Sequence, residues 1–307
     1  MQLQNKLTII ICTLLLNVLL LGIMSGCQNE TQIQEPELKV KLANGQTKTM
    51  KLEEYITGVV AGEMKNNWPK AAYGAQAILA RSFALKYLKE NDTNTISSSY
   101  KYAQEYKPEN ITERISDGVS KTRGEVAKYD DKYIKGWFHS SAGGQTTTAK
   151  VGLAYEKKEP PYIKSVKSPD QKAPEDIQNW EVTFSKNEIE ATLKNKMGKD
   201  IGELKDINIV ERDQTGRVID FEFVGSKTST KVPAANFRNE LDPKKLKSIK
   251  ITSLNKNNED YIFKGSGFGH GVGLSQWGAY KMAQDKQSPE KIVKHYYQGI
   301  ELVKIYE

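Results

Sequence analysis

Hydrophobic and polar positions alternate along residues 38–52 and then recur at helical spacing over residues 53–65. The alternation surrounds Asn44-Gly45, a pair that favours tight hairpin turns, so the sequence predicts two paired strands. The helical spacing stops at "NNWP", because the residue before a proline avoids helical torsions. A second helix is predicted over residues 70–89, directly after that proline.

The remainder of the chain mixes short alternating stretches with helical stretches near its end. Strands are predicted in residues 121–139, in residues 181–264 and at the C-terminus, and helices from about residue 274 and after Ser288. Because no regular strand–helix–strand repeat is present, the pattern predicts an α+β fold, with helices and antiparallel strands around a cleft. Residues 181–264 are a candidate β-rich subdomain within a domain that spans residues 38–307.

The first 27 residues differ from the rest of the chain. Residues 7–24 carry no charge. The length of this uncharged stretch is at the lower limit for spanning a bilayer, and it is long for the core of a signal peptide. They run into "MSGC", which resembles the lipobox where a lipoprotein is cleaved and acylated on the cysteine, here Cys27. Cleavage with acylation and an uncleaved anchor both remain open. Each predicts residues 28–307 on the outer face of the cell membrane, with residues 28–37 as a tether.

The chain is basic overall, with 45 Lys and Arg against 38 Asp and Glu and a formal net charge of +7. An exported basic protein can meet anionic lipid, nucleic acid or an acidic wall polymer. No run of five basic residues is present, however, and evenly spread lysines also serve solubility alone. Both cysteines, Cys12 and Cys27, lie in the leader, so the rest of the chain has no disulfide and no thiolate metal ligand.

A glutamate lies on the apolar face of the first predicted helix. At about 100° per residue, Glu63 falls within about 20° of Ile56 on the helical wheel. A carboxyl group in an apolar wall has a raised pKa and can stay protonated near neutral pH, as cleavage of a glycosidic bond requires. The alternative is an ordinary amphipathic helix with a glutamate at its edge.

An arginine stands in a stripe of small residues on the second predicted helix. Gly74, Ala77, Ala84 and Leu88 share this stripe with Arg81, at steps of three and four. The small side chains allow another backbone to come close. Arg81 either forms an ion pair in a tightly packed helix, or uses its guanidinium to orient a carboxylate or contact substrate.

A glycine-rich loop opens the segment of residues 265–283, with glycines at alternate positions around His270. Its spacing fits neither the dinucleotide-binding pattern G-x-G-x-x-G nor a phosphate-binding Gly-Lys-Ser/Thr. Such glycines let the chain pass close to a ligand or another element, and His270 is therefore a candidate functional residue. Ser275, Gln276 and Trp277 start the helix that follows. Gln276 can hydrogen-bond amide or hydroxyl groups, and Trp277 can stack on a sugar or fill the core.

A polar loop, "FHSSAGGQT" at residues 138–146, holds His139 and Ser141 beside two glycines. It lacks the G-x-S-x-G elbow and so gives little support for a serine hydrolase. The chain has three histidines, but no H-E-x-x-H motif and no regular spacing, so no metal site is predicted. Of these, His295 lies among aromatic residues and is predicted to pack.

These segments together resemble the SpoIID family of peptidoglycan lytic transglycosylases. The similar stretches are "EEYITGVVAGEM", "AAYGAQAILARSFAL", "FHSSAGGQTT" and "GSGFGHGVGLSQWGAYKMA" followed by "IVKHYYQGIEL". They occur in family order over most of residues 52–302, and the last block is the most specific. Residues 181–254 correspond by position rather than by motif.

The resemblance implies an enzyme of sporulation that acts during engulfment. It would cleave the bond between N-acetylmuramic acid and N-acetylglucosamine in glycan strands stripped of stem peptides, leaving 1,6-anhydro ends. The family's catalytic glutamate corresponds to Glu63, which would be the general acid. Other positions match family motifs and are expected around the cleft as substrate-binding residues: Arg81, His139, Ser141, His270, Ser275 and Gln276.

The resemblance also implies partners and a location. A SpoIIP-like amidase and a SpoIIM-like membrane protein are the expected partners, at the cell membrane and without nucleic acid. Some relatives hold zinc near this polar loop through cysteines and further histidines. Because this chain offers only His139 there, neither zinc nor another cofactor is predicted. The alternative function is a domain that binds glycan and stimulates a partner amidase without cleaving the strand.

Overall fold

The structure is a computed structural model that describes residues 34–99 and 103–307. The predicted leader, residues 1–27, lies outside the described residues, as does most of the predicted tether, and their roles stay predictions. Within the described residues, no helix combines the length and the hydrophobicity that are needed to cross a membrane.

The first half of the described chain is built around two helices. Its elements are, in chain order, β1 (Glu37–Lys41), β2 (Thr47–Lys51), α1 (Leu52–Glu63), α2 (Lys70–Glu90), β3 (Thr95–Ser97), α3 (Glu113–Ser120), β4 (Glu125–Tyr129), β5 (Lys132–Tyr133), β6 (Phe138–His139) and α4 (Ala149–Gly152). The predicted hairpin is present as β1 and β2, with Leu38 opposite Met50 and Gly45 in its turn at φ 85°.

The second half begins with a short helix and carries longer strands. Its elements are, in chain order, α5 (Glu175–Gln178), β7 (Trp180–Ser185), α6 (Lys186–Ala191), β8 (Leu204–Arg212), β9 (Val218–Gly225), β10 (Ser229–Pro233), α7 (Ala234–Leu241), β11 (Ile251–Asn257), β12 (Asp260–Gly265), β13 (Leu274–Ser275), α8 (Gln276–Gln284), α9 (Pro289–Tyr296) and β14 (Glu301–Lys304). Ser288 caps α9 as predicted, because its side chain accepts a hydrogen bond from the N–H of Lys291.

Several small sheets organise these strands. Their strand orders are β2-β1-β3, β14-β4-β5, β11-β12-β7, β10-β9-β8 and β13-β6. Helices mixed with small sheets confirm the predicted α+β class. The expectation of antiparallel strands is wrong for two pairs, since β1–β3 and β6–β13 run parallel. In both pairs the chain returns across a long connection that contains helices, as a parallel pairing requires.

Two hydrophobic cores lie within residues 35–307, which form one unit. The first surrounds α2, where Gly74 leaves room for Thr122 and Pro289 to pack directly on the helix. The second core lies within residues 180–263 and is rich in phenylalanine: Phe184, Phe221, Phe223, Phe237 and Phe263. It falls in the candidate β-rich subdomain, whose boundaries stay a prediction.

The polar loop and the glycine-rich loop lie side by side. The pairing of β6 with β13 places His139 opposite Ser275. The buried Arg217 donates to the carbonyl oxygens of Ala142 and Gln145 at 2.7 and 2.8 Å. Strand pairing and the Arg217 guanidinium therefore hold the polar loop in place.

Candidate active site

Glu63 is the last residue of α1 and is half-buried. Tyr55 and Val59, at steps of four residues before it, are fully buried, so Glu63 continues the apolar face of the helix. The helix ends here because Met64 adopts an extended conformation. Glu63 Oε1 accepts a hydrogen bond from the backbone N–H of Glu105 at 2.9 Å.

Burial raises the pKa of the Glu63 carboxyl from 4.5 to about 7, and the nearby Glu105 carboxylate adds to this rise. The backbone N–H of Glu105, the Lys107 ammonium and the Gln276 side chain lower the pKa in part. Because the effect of burial prevails, the carboxyl group is partly protonated at neutral pH. A carboxyl group in this state can donate a proton and, once ionised, can accept one.

Gln276 brings the C-terminal part of the chain to Glu63. It is the first residue of α8 and is 6% exposed. Its side-chain amide lies against Glu63 as a donor that lowers the pKa, yet Nε2 forms no hydrogen bond of good geometry with any described residue. A buried donor without a full partner is unfavourable unless a further acceptor is bound. Gln276 Nε2 is therefore a donor beside the Glu63 carboxyl whose capacity the described residues do not fully use.

Aromatic side chains pack between the segment that follows Glu63 and α8. The Trp68 ring lies 4.7 Å from the Trp277 ring and 5.0 Å from the Tyr280 ring, centroid to centroid. The exposed Lys65 holds its Nζ 5.1 Å from the centroid of the Trp277 ring. Both tryptophans are buried. Of the two roles predicted for Trp277, the geometry therefore favours core filling.

The segment of residues 103–107 crosses α1 close to Glu63. Its Tyr106 stacks on Tyr55 of α1, with ring centroids 5.6 Å apart. Gly58 and Gly62 lie one turn apart on the helix surface and leave room for the crossing. Residues 103–107 were not predicted from the sequence as part of the site. The glycine pair on α1 was the pattern that could have indicated it.

Gly62→Ala is expected to disturb this crossing. A methyl group at position 62 would lie 2.7 Å from the Glu105 carbonyl oxygen, which is backbone and cannot rotate away. We expect the free energy of unfolding to fall by about 1–3 kcal/mol in urea denaturation, despite the better helix propensity of alanine. Glu54→Ala, at an exposed position on the same helix, is the control. An equal loss in both variants would contradict the tight crossing.

Two further polar groups are buried near Glu63. The Tyr55 hydroxyl and Gln104 Oε1 form no hydrogen bond of good geometry with the described residues. Burial raises the pKa of Tyr55, and the charge of Glu63 adds to this rise, so the hydroxyl lies within electrostatic range of the carboxyl. The interior next to Glu63 is therefore not wholly apolar.

Arg81 lies inside the first core and not beside Glu63. Its Nε and Nη2 donate to the two carboxylate oxygens of Glu53 at 2.7 and 2.8 Å. The remaining donors reach Thr122 Oγ1 and the carbonyl oxygens of Val119 and Glu125. All five N–H donors of the guanidinium are thus used inside the protein. The structure thus shows Arg81 in the ion pair that was one of its two predicted roles, and the substrate contact stays a prediction.

His139 and His270 form a pair with ring centroids 5.3 Å apart. His139 Nδ1 donates to the Val272 carbonyl at 3.1 Å. His270 Nε2 donates to the Phe138 carbonyl at 2.9 Å, and its Nδ1 accepts from the N–H of Val272. Burial lowers the pKa of both rings, that of His139 to about 3. The two histidines therefore join the polar loop to the glycine-rich loop as uncharged groups.

Ser141 and Ser275 meet at a buried carboxylate, that of Asp170. Ser275 Oγ donates to Asp170 Oδ1 at 2.8 Å, and Ser141 Oγ donates to Oδ2 at 3.2 Å. The structure thus brings these two serines together, but as partners of Asp170. The sequence does not indicate Asp170, because it lies in a proline-rich stretch, residues 156–180, without a regular pattern.

The third histidine lies apart from the pair formed by His139 and His270. His295 packs against Tyr296, and its Nε2 lies 2.7 Å from the Lys167 carbonyl oxygen. The described residues contain no group of three or more His, Cys, Asp or Glu that could hold a metal ion. In the polar loop, His139 is buried and Ser141 donates to Asp170. The absence of zinc stays a prediction.

The raised pKa of Glu63 predicts a pH-dependent stability. Because the folded-state pKa of about 7 exceeds the ordinary value of 4.5, the folded protein holds the proton more tightly than the unfolded chain does. This stabilisation is complete below pH 4.5 and is lost as the pH rises to about 7. Glu63→Gln removes the titration, so the wild type should lose stability relative to this variant as the pH rises from about 4.5 to about 7. Urea unfolding measures the difference; a difference that does not change with pH would contradict the raised pKa.

Two family models match adjacent parts of the chain. The stage II sporulation protein model, SpoIID, matches residues 43–129, which include Glu63. A domain of unknown function, DUF8618, matches residues 128–273, which include the polar loop and part of the glycine-rich loop.

Curated relatives cover most of the chain. An uncharacterized protein of Brachyspira hyodysenteriae is 31% identical over 83% of this chain and 67% of its own length. Stage II sporulation protein D of Bacillus amyloliquefaciens is 31% identical over 89% of this chain and 82% of its own length. The amidase enhancer of Bacillus subtilis is 25% identical over 80% of this chain and 40% of its own length.

The family model and the curated relatives identify the class of protein. Glu63 on α1 and the Gln276 amide at the start of α8 form its candidate site. The chain belongs to the stage II sporulation protein D family, SpoIID. The resemblance recognised in the sequence is thereby confirmed.

Proposed function

We propose that this protein acts on the cell wall in sporulation, as a peptidoglycan lytic transglycosylase. Its membership of the SpoIID family supports the role in the sporulation cell wall. The observation that carries the chemical step is the Glu63 carboxyl. Burial raises its pKa to about 7, and it stands beside the amide of Gln276, whose Nε2 forms no hydrogen bond of good geometry with the described residues.

In the proposed reaction, protonated Glu63 gives its proton to the glycosidic oxygen between N-acetylmuramic acid and N-acetylglucosamine. The bond from that oxygen to the muramyl anomeric carbon breaks, and the C6 hydroxyl of the same muramyl sugar attacks this carbon. Ionised Glu63 takes the C6 proton. The products are a 1,6-anhydro end and a new C4 hydroxyl, and no water is consumed. One carboxyl group with a pKa near neutral pH suits both proton transfers.

Neighbouring groups support both charge states of the acid. Burial favours the protonated form before the transfer, whereas the Glu105 N–H and the Lys107 ammonium stabilise the carboxylate that forms. Gln276 Nε2, which has no full hydrogen bond in the described residues, would donate to a substrate oxygen next to Glu63. The acid can therefore cycle without a second carboxylate.

The proposal extends to the location and partners that the family resemblance implies. Residues 28–307 would work on the outer face of the cell membrane, whether anchored through Cys27 or through an uncleaved leader. Their substrate would be glycan strands stripped of stem peptides, beside a SpoIIP-like amidase and a SpoIIM-like membrane protein. The net charge of +7 suits an acidic wall polymer.

Product analysis tests the proposed reaction. The full chain in detergent is incubated with amidase-treated peptidoglycan, and the fragments are identified by mass spectrometry. The expected products end in 1,6-anhydro-muramyl residues. Free reducing ends in their place would mean hydrolysis by a muramidase mechanism, which requires a second carboxylate. Glu105 would then be the residue to examine.

Glycan binding without cleavage is the second candidate function. The 25% identity to an amidase enhancer favours it. It predicts that the protein binds stripped glycan and raises the rate of a partner amidase while producing no new glycan ends. A protein that only binds glycan has no use for a carboxyl group whose pKa lies near neutral pH. The product assay separates the two functions, because only cleavage produces new glycan ends.

A further inference from the structure

We propose that Asp170 is a positioning residue that holds the start of α8, and with it Gln276, against Glu63. The inference concerns the placement of the Gln276 amide in the free protein. It therefore goes beyond the proposed reaction and holds whatever ligand is bound.

Asp170 is a buried carboxylate, 5% exposed, that gathers donors from separate segments. Oδ1 accepts from Ser168 Oγ at 2.7 Å and from Ser275 Oγ at 2.8 Å. Oδ2 accepts from Ser141 Oγ at 3.2 Å and from the N–H of Gly144 at 3.1 Å. These donors come from the polar loop, the proline-rich stretch and the residue that precedes α8. Hydrogen bonds to an ionised acceptor are stronger than those between neutral groups.

Ser275 connects Asp170 to α8 through hydrogen bonds. Its Oγ accepts from the N–H of Gly278 at 3.3 Å and from the N–H of Ala142 at 3.2 Å. A hydroxyl oxygen has two acceptor lone pairs and one proton, so both lone pairs are used and the proton must go elsewhere. The Ser275 hydroxyl donates this proton in a hydrogen bond to Asp170. An ionised carboxylate has no proton of its own and acts only as an acceptor. The carboxylate thereby fixes the orientation in which Ser275 caps the helix that Gln276 begins.

The first turn of α8 also rests directly on this cluster. A side chain on Gly278 would collide with the hydroxyls of Tyr296 and Ser168 and would approach Asp170 Oδ1. Those two hydroxyls are hydrogen-bonded to each other at 2.8 Å. The cluster therefore sets how closely the turn approaches. The Gln276 amide lies against Glu63 through that placement, because its Nε2 forms no hydrogen bond of good geometry with the described residues that would hold it there by itself.

The pKa of Glu63 reports the placement of Gln276 without any substrate. It is measured by carbon-13 NMR of the side-chain carboxyl in the full chain, with Glu63→Gln to assign the resonance. Because the amide of Gln276 lowers this pKa, Ser275→Ala and Asp170→Asn should raise the midpoint by about 0.5–1 pH unit. Gln276→Leu should give the same rise. The double variant Ser275→Ala with Gln276→Leu should give no further rise, since both act through one contact.

Ser141→Ala is the matched control. It removes one hydroxyl from Asp170 without touching α8, so its midpoint should equal that of the wild type. If Asp170→Asn does not fold, Ser275→Ala decides. The inference is overturned if Ser275→Ala leaves the midpoint unchanged, if Gln276→Leu does not move it, or if Ser141→Ala moves it as far. Because no step needs glycan cleavage, a failure of the proposed function leaves this result readable.

Discussion

Glu63→Gln is expected to abolish the release of 1,6-anhydro-muramyl products, with a fall in kcat/KM of at least about 10²–10⁴-fold. The glutamine amide can neither protonate the glycosidic oxygen nor take the C6 proton. Its Oε1 can still accept the hydrogen bond that Glu63 receives from the N–H of Glu105. Folding and glycan binding should therefore persist. Mass spectrometry of the fragments and a pull-down with stripped glycan measure the two effects separately.

Glu105→Gln is the matched control for this loss. Glu105 is the carboxylate whose charge adds to the raised pKa of Glu63, so its replacement should lower that pKa and leave anhydro products in place. We expect a rate within about tenfold of the wild type, because this change acts only through the electrostatic field. Complete loss of cleavage in Glu105→Gln as well would mean that two carboxylates are needed. The single-acid mechanism would then be wrong.

Arg81→Met is expected to lower the free energy of unfolding by about 3–5 kcal/mol. The change leaves the Glu53 carboxylate, whose side chain is 12% exposed, without the cation that binds both of its oxygens. Removing one partner of a buried ion pair leaves an uncompensated charge. It also removes the donors that reach the segment after α3. Urea unfolding of the full chain measures the loss.

Asp117→Asn is the comparison for Arg81→Met. It removes the ion pair of Lys70 with Asp117, in which both side chains are largely exposed, at 39% and 45%. Such pairs contribute about 1 kcal/mol or less. An Arg81→Met protein with wild-type stability and a raised KM for glycan would instead support the substrate-contact role that the sequence left open.

Elements with local patterns follow from the sequence closely. The helix predicted over residues 53–65 runs from Leu52 to Glu63, and the helix predicted over residues 70–89 runs from Lys70 to Glu90. In both cases the signals that predict the helix, which are the hydrophobic spacing and a nearby proline, lie within one short stretch of the chain. The position of Glu63 on an apolar face is predictable for the same reason, because the helical wheel depends only on neighbours along the chain.

Contacts between distant segments do not follow in this way. The stripe around Arg81 indicates a close approach, but nothing in the stripe identifies Glu53 as the partner. A match to a family motif likewise marks a position without naming what the side chain touches. Of the positions matched in this way, Gln276 lies at Glu63, whereas Ser141 and Ser275 bind Asp170. The parallel pairing of β6 with β13 is equally nonlocal, because it joins residues 138–139 to residues 274–275. Each strand is also only two residues long, which is too short for a sequence pattern.

Glu63 and Gln276 come from opposite ends of the described chain, and this has a consequence for incomplete copies of the protein. A copy that stops before the glycine-rich loop still carries the glutamate, but it lacks the Gln276 neighbour and the packing of α8. Its carboxyl then meets water, and the acidity returns toward that of a free glutamate. If Glu63 is the acid of the proposed reaction, premature termination or proteolytic loss of the tail would therefore leave a copy that cannot cleave glycan.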